Sequence, residues 1–138
     1  MTSSHKNKTL ATFLATTLGG VGLHRFYLWG KNDLPGWLHF LTVLPVLFGA
    51  VLLPTLPQFA LASLFFISIL IGWIEALVIG LTADEKWDAT HNRDSSYQSQ
   101  SGWPLAILLV LTFGVGAIAV IATIARAFDL FFTGGAYG

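Results

Sequence analysis

One carboxylate stands alone in the most apolar stretch of this sequence: between residues 59 and 82 the only charged side chain is Glu75. An ionisable group inside a lipid-crossing segment marks an ion or proton site by default. The structural alternative is a neutral carboxyl hydrogen-bonded to a neighbouring helix, since an ion costs far more than a neutral group in an apolar medium. A second group able to do chemistry is the adjacent pair His24-Arg25, which comes after Gly19, Gly20 and Gly22 at the end of an apolar run. The pair reads most simply as an interfacial anchor whose long side chain snorkels to phosphates; the functional alternative is a recognition or coupling site. His39, near the start of a later apolar run, also reads as interfacial. Asp84, Asp88 and His91 stand at i, i+4 and i+7, one face of a helix that could bind a metal; without a fourth ligand they read as a solvated helix end.

Other chemistries find no support. A phosphate cradle needs a Walker pattern, and Gly30-Lys31-Asn32 lacks both the upstream glycine and the hydroxyl. Neither HExxH nor GxSxG occurs. No cysteine is present, which removes disulfides, thiolate metal sites and cysteine nucleophiles. The reading is therefore a non-enzyme with no cofactor and no metal. Seven basic and seven acidic residues balance to zero, which argues against nucleic acid as a partner.

The elements that must position these groups are membrane helices. Of 138 residues only 10% are charged, where a soluble domain has about 25%, and the mean hydropathy is +0.70. The periodicity is helical without strand alternation, so the expected fold is all-α, a small polytopic membrane bundle of four apolar segments, at least three of them spanning. A polar N-terminus, 1–8, precedes helical segments near 9–29, 36–53 and 59–83, which together make a membrane domain over 9–92. A polar linker, 93–102, an additional helix, 103–126, and a Gly/aromatic tail, 127–138, complete the chain. Pro45 is expected to kink the second segment, and Pro54 and Pro57 to bound a tight turn. Ser68, Gly72, Ala76 and Gly80 recur every fourth residue, a small-residue stripe suited to close helix packing; Thr112, Gly116, Ala119 and Thr123 make a similar face.

The first segment leaves two topologies open. It is short for the roughly 20 residues that a span needs. It also has the basic start and apolar core of a signal peptide, but it has no A-x-A-like cleavage site after it, so cleavage is not expected. If it crosses, the basic residues split almost evenly between the two sides. If it is re-entrant or interfacial, every basic residue except Arg126 falls on one side, which fits the positive-inside rule better.

Gly19-x-x-Gly22-x-His24-Arg25-Phe26-Tyr27-Leu28, preceded by Lys6-Asn7-Lys8, resembles the signature of the TM-two domain family, two transmembrane helices joined by a short turn. The later stretch from Asp84 through Trp87 and Asp88 to Asn92 is similar to the segment directly after that domain in bacterial members. This sequence departs in carrying Trp29 before Gly30, and Trp73-Ile74-Glu75 where members often have Trp-x-x-Asp. The resemblance spans residues 6–92 and implies a multi-pass protein of the bacterial inner membrane, with no established enzymatic activity.

Two functions are carried forward. The leading one is a module for interaction or assembly through helix–helix and cytoplasmic-loop contacts, with the lipid bilayer and another membrane protein or a second copy as partners. The alternative is a proton- or ion-coupled channel or transporter subunit using Glu75. A clasp is also expected between Arg25 and Asp88, covered by Trp87, since a guanidinium fork matches a carboxylate.

Overall fold

The computed structural model of the chain describes residues 5–137; the first four residues of the polar N-terminus and Gly138 of the tail lie outside them. The regular structure of the described residues is entirely helical, without a strand. Helices α1 (Lys8–Leu18), α2 (Leu23–Trp29), α3 (Leu34–Leu41), α4 (Val43–Leu52), α5 (Gln58–Leu81), α6 (Asp84–His91) and α7 (Trp103–Thr133) succeed one another in order, with a 3-10 turn (Gly19–Val21) between α1 and α2. Two of them contain stretches long and apolar enough to cross a membrane, Ala60–Leu81 and Trp103–Thr133.

The segment near 9–29 is a hairpin, not one helix. Asn7 caps α1 by accepting from the Leu10 amide at 2.9 Å. The 11 residues of α1 rise about 16 Å, half of a hydrocarbon core of about 30 Å. The chain then tightens into the 3-10 turn and reverses at Gly22, whose φ of +76° is left-handed and whose missing Cβ would sit 2.6 Å from the Gly36 carbonyl oxygen. Only glycine combines that conformation with that approach. Helix α2 then runs back, so that Asn7 N–H donates to the Tyr27 hydroxyl at 2.8 Å and the Lys6 ammonium donates to the Tyr27 carbonyl at 2.8 Å. Both ends of the hairpin therefore lie at the same end of the bundle.

Helix α5 is the axis against which α1, the 3-10 turn, α4 and α7 pack. Lys8, Ala11, Thr12 and Ala15, spaced as one helical face, are the buried side of α1 and lie along α5. The 3-10 turn docks near the middle of α5, where Gly19 meets Gly72 so closely that a Cβ on Gly72 would stand 2.7 Å from Gly19 Cα. The Ser68 hydroxyl donates to the Gly20 carbonyl at 2.7 Å. Ala76 is fully buried, and Gly80 lies under Leu109 of α7. On α7, Thr112 is buried and shares a 2.8 Å hydrogen bond with Thr16, and Gly116 touches Trp73. Ala119 is half-buried and Thr123 exposed, so the packed face of α7 fades toward its C-terminus.

Helices α3 and α4 come down α5 as one apolar rod broken at Thr42, three residues before Pro45. A proline cannot bond to the carbonyl four residues back and its ring crowds it, so the break falls in the turn before the ring. Thr42 fills the gap by donating its hydroxyl to the His39 carbonyl at 2.7 Å. The last helix continues past Arg126 to Thr133, where the sequence suggests a tail. Arg126 pairs with Asp129 one turn on, and Asp129 also accepts from Thr133, so the charges satisfy one another along the helix. Gly134, left-handed at φ +69°, ends it.

Candidate functional site

Glu75 lies on α5, one turn from the Gly19–Gly72 contact, where the returning α2 and the start of α3 converge. His24 Nε2 is 2.7 Å from its Oε2, the Arg25 guanidinium donates to Oε1 at 2.5 Å, and His39 Nε2 approaches Oε2 at 3.3 Å. Asp33 is the N-cap of α3, accepting from the Gly36 amide at 2.7 Å, and the same carboxylate takes the Arg25 fork from Nε at 2.7 Å and from NH2 at 3.2 Å. The hydrogen bond from Arg25, reinforced by the Gly36 amide, holds the Asp33 carboxyl below the usual carboxylate range against the opposing effect of burial. His39 Nδ1 is 2.6 Å from the Ser68 hydroxyl oxygen. The imidazoles of His24 and His39 meet edge to face with centroids 5.9 Å apart.

The hydrogen-bond directions are fixed by the acceptors. The Gly20 carbonyl can only accept, so the Ser68 hydroxyl donates to it and must accept from His39 Nδ1–H. Neutral His39 then presents a bare Nε2 lone pair to Glu75 Oε2. A carboxylate oxygen and an imidazole lone pair 3.3 Å apart need a proton between them to attract. Charge counting gives the same requirement. Arg25 contributes +1, and Asp33 and Glu75 contribute −1 each, so with both histidines neutral the cluster is one positive charge short of neutral, and the excess negative charge favours a proton there.

The site differs from the sequence expectation in three ways. His24 and Arg25 do not anchor at a headgroup interface: His24 is 1% exposed and Arg25 is occupied by two carboxylates. His39 is buried in the same cluster and is not interfacial. The Arg25–Asp88 clasp is absent, because the reversal at Gly22 starts α2 at mid-depth, which leaves Arg25 level with Glu75 and well below α6. Phe26 and Tyr27, the rest of the signature, are half-buried and contact residues other than Glu75. Phe26 packs edge to face on Trp37 at 5.3 Å, and Tyr27 receives Lys6 over its ring at 4.8 Å.

The acidic residues of α6 close the end of the bundle. Asp84 pairs with Lys8 and accepts from the Ser101 amide and hydroxyl at 2.7 and 2.6 Å. Burial alone would raise its carboxyl, but these partners outweigh it and hold it down at about 2. Lys8 also donates to the Thr82 carbonyl at 2.8 Å, a cation on the exposed end of α5. Asp88 accepts from Ser99 N–H at 2.7 Å and from its hydroxyl at 2.6 Å, and Asn92 accepts from Lys6 N–H at 2.7 Å. Trp87 does not cover Arg25; it is buried, donates to the Lys6 carbonyl at 3.0 Å and lies against His91 at 4.3 Å. These bonds account for Asp84 and Asp88, while His91 has ring contacts with Trp87 and Trp29, and among the described residues no group of three such side chains is placed to hold a metal.

Two cavities border Glu75. One, of about 370 Å³, opens between α2, α5 and α6, with Lys86 and His91 near its mouth and His24, Arg25 and Glu75 among its lining. The other, of about 340 Å³, lies between α3 and α5 and includes His39, Thr42 and Ser68 with Ile67 and Ile71.

Asp33 and Ser68 are the cluster members for which the sequence suggested no chemistry. A signal for Asp33 was present: an aspartate two residues before Pro35 at the head of an apolar run is an N-cap pattern, which fixes a carboxylate beside the glycine turn.

The family model of the TM2 domain matches residues 4–56. The match takes in the hairpin, Asp33 and His39 and ends before Glu75. No curated protein and no solved structure matches the chain. The TM2 domain match and the two apolar helices identify a membrane protein.

Proposed function

We propose that the protein is a proton-conducting membrane subunit whose working group is the Glu75–His24–His39 cluster. The observation that carries this is the bond order Gly20–Ser68–His39–Glu75, which leaves a place for one proton between His39 Nε2 and Glu75 Oε2. Arg25 and Asp33 set the charge that makes that proton favourable, and the cavity between α2, α5 and α6 gives it a route of access. No enzymatic step is proposed.

The topology that suits this reading is multi-pass, in a cell membrane of the bacterial inner type. The hairpin enters and leaves on the side of Lys6, Lys8, Lys31, Lys86 and Arg93, which the positive-inside rule makes cytoplasmic. The α3–α4 rod, α5 and α7 then cross. The test is proton flux into liposomes holding a pH dye and the purified protein. Wild type conducts above empty vesicles and Glu75→Gln does not; equal flux from the two, or none from wild type, would sink the proposal.

A second reading, assembly with another membrane helix or a second copy, is favoured by the groove between α3 and α5. Leu38, Leu64, Ile67 and Ile71 face outward there beside Glu75 and His39, and polar groups bordering lipid gain from a covering helix. Absent flux together with a partner that crosslinks to this groove would favour it.

A further inference from the structure

His24 Nδ1 is the one buried side-chain polar atom among the described residues without a hydrogen-bond partner. Its ring donates through Nε2 to Glu75 when neutral, so Nδ1 is then a bare acceptor, and leaving such an atom dry and unpaired is costly. His24 also lines the cavity between α2, α5 and α6. That cavity has a polar floor and a polar mouth, and its volume of about 370 Å³ far exceeds the space a single water needs. A site with those features holds water, whereas a cavity with apolar lining throughout stays empty.

We infer that this cavity is the water-filled entrance through which protons reach Glu75, with His24 as the group that passes them in. The inference rests on the proton-conducting reading of the cluster and adds the side of entry and the first acceptor. Once the shared proton has left Glu75 and His39, a hydronium ion in the cavity gives its proton to the Nδ1 lone pair and becomes water. The Nε2–H bond then breaks with its electron pair left on nitrogen, and the proton joins Glu75 Oε2. His24 remains neutral as the Nδ1–H tautomer, and Glu75 becomes a carboxylic acid that can donate to His39 Nε2. A half-turn of the His24 ring brings an N–H back toward Glu75.

The charged surroundings suit this direction. From α2 the cluster sees His24 and Arg25, from α3 Asp33 and His39, and from α5 Glu75 itself. Helix α6 adds Lys86 at the exposed mouth, and His91, which burial and the Lys6 charge lower toward its neutral form. Lys8 of α1 is taken by Asp84. Arg25 lies between two carboxylates, so the floor does not repel an incoming proton as a free guanidinium would.

The chain has no native cysteine, so a single thiol reports on the cavity. Ile79→Cys places it on the cavity wall, one turn beyond Glu75, and Thr90→Cys places one at the mouth. A permanently charged methanethiosulfonate is added from the α6 side of proteoliposomes. Expected is reaction at both positions, arrest of flux in the modified Ile79→Cys protein, and full recovery on reduction, which separates blockage from misfolding. An inert Ile79→Cys beside a reactive Thr90→Cys means a dry cavity and overturns the inference. Modification of Ile79→Cys with unchanged flux overturns it equally. If Ile79→Cys does not conduct before modification, Thr82→Cys replaces it under the same criteria. His24→Gln keeps a donor for Glu75 without a second ring nitrogen, so its flux should fall to that of empty vesicles with little change in thermal midpoint. Flux persisting in Glu75→Gln in the same series would instead defeat the proton-conducting reading itself.

Discussion

Gly72→Ala is the sharpest test of how the hairpin is seated. A methyl group at Gly72 would lie 2.7 Å from both Cα and C of Gly19, against the roughly 3.5 Å that carbon atoms need. The shortfall is about 0.8 Å and both sides are backbone, so no side-chain rotation relieves it. The hairpin tip must lift from α5, an overpacking cost of about 1–3 kcal/mol. Alanine in place of glycine within a helix returns about 1 kcal/mol. Gly114→Ala isolates that return, because Gly114 is helical and nothing lies within 4 Å of its Cβ position. The difference between the two variants is therefore the overpacking cost alone. Thermal unfolding in detergent reads it as a lower midpoint for Gly72→Ala than for Gly114→Ala, on the order of 2–8 °C for each kcal/mol. Gly19→Ala should behave like Gly72→Ala, since its methyl would meet Gly72 Cα at 2.8 Å. Equal midpoints for Gly72→Ala and Gly114→Ala would refute the close seating and, with it, the depth assigned to His24 and Arg25.

The same geometry sets three further outcomes. Ser68→Ala strips partners from His39 Nδ1 and the Gly20 carbonyl at once, and each buried group left unpaired costs about 1–3 kcal/mol; chemical denaturation of Ser68→Ala beside Ser63→Ala, an exposed serine of the same helix, measures it. The Asp84 carboxyl is held at about 2 in the folded chain, below its ordinary value of about 3.9. Its contribution to stability is thus complete above that ordinary value and is lost as pH falls toward about 2; Asp84→Asn should flatten this part of an acid-unfolding curve, and an unchanged curve would show that the Lys8 and Ser101 contacts contribute nothing. Single cysteines at Asn32 and Ser99 should be labelled by an impermeant reagent from one side of the membrane and at Ala136 from the other; opposite labelling of Asn32 and Ser99 would break the topology.

The apolar runs that form α5 and the body of α7 are visible in the sequence because a long uncharged stretch has few other solutions. Glu75 stands out for the same reason. Its partners do not, because hydropathy gives a residue's depth only if the chain's direction is known. Charge and length favour a turn-back over a crossing helix for residues 9–29, but they do not say where the chain turns; that is set by Gly22, where a left-handed glycine meets Gly36. That one reversal carries Arg25 to the level of Glu75 and away from Asp88. The four-residue spacing of Ser68, Gly72, Ala76 and Gly80 places them on one face, but does not say which neighbour that face meets: the hairpin tip takes Ser68 and Gly72, and α7 takes Gly80. Asp33 was hidden by its double duty, since a capping aspartate needs no further explanation from local sequence. The continuation of α7 beyond Arg126 was hidden by composition, because phenylalanines and a charged pair suit a helix end and an interfacial tail alike.

The proton between His39 and Glu75 can be observed directly by nitrogen NMR of histidine-labelled protein in lipid at neutral pH. In wild type the His39 Nε2 resonance should be displaced from the position of a free lone pair. In Glu75→Gln, where the cluster is already neutral without an extra proton, it should return to the free-lone-pair position with Nδ1 still protonated toward Ser68. A His39 Nε2 that sits at the free-lone-pair position in wild type, and does not move in Glu75→Gln, would contradict the shared proton and the function built on it.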